Sequence, residues 1–124
     1  MIVSVFVRRL KERRTFEEFL QEWEADVGFG VPTRVFNAVN LNDPREVISI
    51  GFVAVSPAEL AQGLAAAQQS ERLRHDRIDT VISSTELRAM YHVQAEHDFT
   101  TNPRRIELTG AGSLLNTLGS PESG

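Results

Sequence analysis

The order of its elements constrains this chain most. The first hundred residues read strand, helix, strand, strand, helix, strand. Two split β-α-β units in that order predict one four-stranded antiparallel sheet with both helices on the same face. Ile2 to Arg9, rich in Val and Phe, opens as a strand. Its side chains alternate, so Val3, Val5 and Val7 share one face and Ser4, Phe6 and Arg8 the other. Thr15 and Glu18 have the spacing of a capping box, and Phe16, Phe19, Leu20 and Trp23 then follow as one apolar stripe. Gly28 and Gly30 end that helix. Val31 to Leu41 alternates as a second strand, and Asn42, Asp43 and Pro44 turn the chain. Arg45 to Val55 is apolar on both parities, as a central strand is.

Ser56, Pro57 and Glu59 signal a second helix start, with Leu60, Leu64 and Ala67 as its buried stripe. A break around Gln68, Gln69 and Ser70 leads to another helical piece, whose apolar positions are Leu73, Ile78, Val81 and Ile82. Thr85 to Phe99 alternates as the fourth strand. The expectation is an α+β, ferredoxin-like βαββαβ domain over 1–99. The composition changes at Thr100, and 100–124 reads as a tail that is weakly structured or docked on the domain or a partner.

Composition narrows the function classes. A chain of 124 residues supports one core. Net charge is −4, which gives no global pull toward nucleic acid or an anionic membrane. Cysteine is absent, which removes disulfides, thiolate catalysis and thiolate metal sites. No apolar run reaches the roughly 20 residues of a membrane span, and the first ten residues read as a strand rather than a signal peptide. A cytoplasmic setting without membrane or nucleic-acid partners is expected.

The helices can cover only one sheet face. Alternation suggests that they take Val3, Val5 and Val7 with Ile48, Ile50 and Phe52. The other face then shows Phe6, Val53, Met90 and either Phe36 or Val35, depending on the register of the second strand. Such a patch spans several hundred Å2 and calls for a cover. A second sheet laid against it by twofold symmetry is the simplest one, so a homodimer is expected. With this layout, the Ile2–Arg9 strand and the Thr15–Trp23 helix, the chain resembles the dimeric α+β barrel superfamily over about residues 1–99. That superfamily includes antibiotic-biosynthesis-type monooxygenases, muconolactone isomerase-like enzymes and stress-responsive barrel proteins. The resemblance implies a face-to-face dimer of ferredoxin-like protomers; it transfers no catalytic set.

The mixed face is the candidate small-molecule site. Ser4, Phe6, Arg8, Ser49, Gly51, Met90 and His92 point there, and Arg34 and Phe36 join them if the second strand turns that parity inward. Gly51 in mid-strand would let a ligand approach closely. His92 is the candidate proton carrier, with Arg8 or Arg34 fixing an anionic or carbonyl oxygen. The binding reading is a non-catalytic module for a small, partly apolar molecule. The enzymatic alternative is a cofactor-independent monooxygenase or isomerase.

No cofactor and no metal are expected. His92 and His97 are five apart on one strand and so face opposite ways. His75 stands among Arg72, Arg74, Asp76 and Arg77 and reads as a solvated helix surface. Val5-Phe6-Val7-Arg8-Arg9-Leu10 mimics the first strand of RNA-recognition domains. The third strand lacks the basic residue and alternating aromatics that should accompany it.

Overall fold

The computed structural model describes residues 1–25, 28, 31–108 and 110–118. Four strands form the main sheet: β1 (Ile2–Leu10), β2 (Thr33–Asn40), β3 (Asp43–Val53) and β4 (Ile82–His92). Their order is β2-β3-β1-β4, and every neighbouring pair is antiparallel. Helices α1 (Phe16–Trp23), α2 (Pro57–Ala66) and α3 (Gln68–Asp79) make the crossovers. This is the ferredoxin-like α+β architecture that the element order predicts.

The helix starts form as their sequences dictate. Thr15 Oγ1 accepts from the Glu18 backbone N–H at 3.1 Å while Glu18 accepts from the Thr15 N–H at 3.0 Å. Ser56 and Glu59 repeat the device on α2, with Pro57 in the first turn. The break expected near Gln68 separates α2 from α3. Gly28 is in the described chain; Gly30, the other expected terminator of α1, lies outside the described residues.

The assignment of sheet faces is the reverse of the expected one. Register puts Ile2, Ser4, Phe6 and Arg8 of β1 on one face with Val53, Gly51, Ser49 and Val47 of β3. Ile2, Arg8, Val47 and Val53 on this face are buried, and it is the one that the helices cover. Val3, Val5 and Val7, with Ile48, Ile50 and Phe52, lie on the opposite face, which no helix among the described residues covers and where Phe36, Leu87 and Tyr91 stay exposed. Phe36, Ala38, Leu87, Ala89 and Tyr91 extend that apolar face across β2 and β4. Phe36 packs edge-on against Phe52 there, with ring centroids 6.1 Å apart. Alternation sorts side chains into two sets, but it does not say which set meets the helices.

The helix layer touches the sheet in two apolar clusters. At one end of β1, Leu10 packs with Phe19, Val47, Ile78, Val81 and Ile82, flanked by Phe16, Leu20 and Trp23. At the other, Ile2, Val53 and Leu60 pack with Val31, Val55 and Leu64. Leu73, placed in the α3 stripe by spacing, is 61% exposed; Arg74 beside it is buried instead.

Residues 96–118 add further elements after the main sheet. β5 (Glu96–Asp98) and β6 (Arg104–Ile106) form an antiparallel hairpin that brackets the boundary expected at residue 99. A short α4 (Leu114–Leu118) follows. Glu96 ties the two parts together: its carboxylate accepts from Ser113 Oγ at 2.6 Å and from the Leu114 N–H at 3.0 Å. Those bonds hold the carboxyl below its usual range.

Candidate functional site

Between the two apolar clusters the helices stand off the sheet and leave a cavity of about 640 Å3. Its floor is the mixed face of the sheet: Ser4, Phe6 and Arg8 from β1, Ser49 and Val53 from β3, Thr33 and Val35 from β2, and Arg88 and Met90 from β4. Leu60 and Leu64 of α2, Glu71, Arg74 and His75 of α3, and Trp23 of α1 complete it. Size and mixed lining are those of a small-molecule pocket.

Arg8 sits deepest, at 2% exposure. Its Nη1 donates to Ser49 Oγ at 3.3 Å, and Ser49 Oγ donates in turn to Asn37 Oδ1 at 2.5 Å. Its guanidinium lies 4.4 Å from the Phe6 ring centroid and 5.9 Å from that of Phe19. Burial, with Arg74 and Arg88 nearby, pushes the guanidinium down to about 10, so Arg8 stays charged at neutral pH. Arg88, paired with Phe6 across the strands, stands 5.3 Å from the same ring.

The opposite wall comes from one face of α3. Arg74 donates to both Glu71 oxygens, at 2.8 and 2.7 Å, and reaches the Trp23 carbonyl at 2.8 Å, joining α3 to the end of α1. It also lies over the Trp23 ring at 5.1 Å. Burial alone would raise the Glu71 carboxyl, but Arg74 and His75 outweigh it and hold it at about 2. His75 Nε2 is 3.7 Å from Glu71 Oε1, and its ring is tilted against Phe6 with centroids 5.7 Å apart. A carboxylate and an imidazole at that separation, beside an aromatic floor, can bind a polar substituent or carry a proton.

Of the expected site residues, the cavity gathers Ser4, Phe6, Arg8, Ser49 and Met90. The Ser4 hydroxyl makes no hydrogen bond among the described residues. Gly51 shares their face but is buried outside the lining. A methyl group on it would stand 2.5 Å from Ser4 Oγ, so the glycine makes room for Ser4 rather than for a ligand. Arg34 and Phe36 point to the uncovered face, because register pairs them with Phe52 and Ile50. His92 has the helix-side parity but pairs with Ile2 at the strand end, exposed and away from the cavity.

The sequence reading missed His75. It also missed that Glu71, Arg74 and His75, at i, i+3 and i+4, share one helix face. That spacing was the available signal, hidden by the flanking charges of Arg72, Asp76 and Arg77. Among the described residues no three His, Asp or Glu side chains converge as metal ligands, and no helix is long and apolar enough to cross a membrane.

No protein-family model matches the chain, and no curated protein matches it. A solved structure does: that of a protein from Chloroflexus aurantiacus J-10-fl assigned as an antibiotic biosynthesis monooxygenase. It is 16% identical, with a TM-score of 0.53, over 78% of this chain and 96% of that one. The likeness is one of fold: this chain has the ferredoxin-like α+β architecture that its element order suggests and that the Chloroflexus aurantiacus protein shares.

Proposed function

We propose that this protein is a homodimer that holds a small, partly apolar organic molecule in the helix–sheet cavity of each protomer. The observation that carries the reading is the cavity of about 640 Å3, which lies between two packed clusters and is floored by Phe6, Arg8 and Ser4. Apolar side chains at one end and hydrogen-bonding groups at the other match the make-up of ligand pockets. The uncovered sheet face supports the dimer. Four strands at about 4.8 Å spacing, 8 to 11 residues long, present roughly 500–700 Å2 of mostly aliphatic and aromatic surface.

A second reading, a cofactor-independent monooxygenase or isomerase, is favoured by His75 standing inside the cavity against Glu71. The proton carrier is then His75 rather than His92. A thermal-shift screen of small aromatic and alicyclic compounds, with product analysis by mass spectrometry, tests both readings. A binding module is stabilised by a ligand that is recovered unchanged, and the cavity-filling variant Leu64→Trp loses the shift. Turnover that His75→Ala abolishes while the thermal shift survives establishes the enzyme. Compounds that stabilise Leu64→Trp as much as the wild type would place binding elsewhere.

A further inference from the structure

The cavity has a charge opposite to that of the protein around it. The chain carries −4 overall, yet its lining holds four arginines (Arg8, Arg72, Arg74, Arg88) and only two carboxylates, Glu71 and Asp76. Glu71 is committed to Arg74 through two short hydrogen bonds. Arg8 is almost fully buried, and among the described residues the one hydrogen bond it donates goes to a neutral hydroxyl, Ser49. Arg88 forms no ion pair among the described residues. Both guanidinium groups lie against the Phe6 ring, at 4.4 and 5.3 Å, so two like charges converge on one aromatic surface.

Asp79 and Glu71 favour the charge on Arg8 only through space, and burial together with the neighbouring Arg74 and Arg88 outweighs them. A buried cation without a directly bonded anion is costly, and a second cation beside it adds repulsion. An anion placed between them removes both penalties. Guanidinium forks match a carboxylate bidentately, and a cleft of one sign concentrates ligands of the other.

On the reading that the cavity binds a ligand, we infer that its ligand is an organic carboxylate, with the carboxylate held by Arg8 and Arg88 beside Phe6 and the apolar body lying toward Val53, Leu60 and Leu64. The register supports this polarity. Arg8 and Phe6 belong to the middle of β1, while Val53 pairs with Ile2 at its start, next to α2. The hydroxyl of Ser4, halfway between, faces the ligand's body as a spare hydrogen-bonding group.

The test uses 2-naphthoate and its neutral counterpart 2-naphthamide, which share one apolar body and differ in one charge. Calorimetry on the wild-type protein should show naphthoate binding at least tenfold more tightly. Arg88→Gln, at an exposed strand position where the fold tolerates change, should reduce that preference several-fold, and Arg8→Met should erase it. Naphthamide affinity should move less than twofold in either variant, and Leu64→Trp should weaken both compounds. Equal affinities in the wild type, or a preference that survives both arginine variants while Leu64→Trp still blocks binding, would overturn the carboxylate site and leave the cavity intact. No binding of either compound at millimolar concentration, or binding indifferent to Leu64→Trp, would overturn the cavity reading itself.

Discussion

Replacing Glu71 by Gln tests the wall that shapes the cavity. Glu71 is the anchor of Arg74, which in turn holds the Trp23 carbonyl and so fixes α3 against the end of α1. Its carboxyl falls from 4.5 to about 2 in the folded protein. At about 1.4 kcal/mol per tenfold, that difference sets a ceiling of roughly 3 kcal/mol on what ionised Glu71 contributes. The side chain is 24% exposed, and solvent screening reduces the effective contribution to about 1–2 kcal/mol. The sign follows from the lowered value: the contribution is complete above about 4.5 and is lost as pH falls toward 2. Glu71→Gln should therefore destabilise the protein by about 1–2 kcal/mol at pH 7, and the gap should shrink to under half of that at pH 3. Urea unfolding at a single protein concentration, which keeps any association term constant, measures both gaps. The same gap at both pH values would refute the reasoning, because a pH-independent loss would come from packing rather than from the charge on Glu71.

Two further outcomes follow from the sheet. Ile50→Lys, on the uncovered face, should convert a sedimenting dimer into a folded monomer of 13.8 kDa; a wild-type protein that already sediments at that mass at micromolar concentration would refute the dimer. Gly51→Ala should make the Ser4 hydroxyl swing away, at a cost under about 1 kcal/mol that Ser4→Ala removes in a double-mutant cycle; a larger cost that persists without the hydroxyl would show that backbone rather than Ser4 is in the way.

Local pattern was enough for the elements, and long-range geometry for the site. Capping boxes at Thr15 and Ser56, the stripe Phe16–Phe19–Leu20–Trp23 and the two-parity strand around Ile50 all act within a few residues, so sequence spacing determined them. So too did the architecture, since a split β-α-β order leaves few ways to close a sheet. The tertiary structure decided which sheet face met the helices. Both faces of β1 and β3 carry enough apolar residues for a helix layer, and alternation is symmetric between them. The choice was made by packing at the two ends, where Leu10 joins Phe19 and Ile2 joins Leu60. Once made, it carried Arg34 and Phe36 out of the site. It also brought in His75 and Glu71, from a helix about seventy residues along the chain from Phe6, because side chains so far apart in sequence meet only when the sheet and helices are laid together.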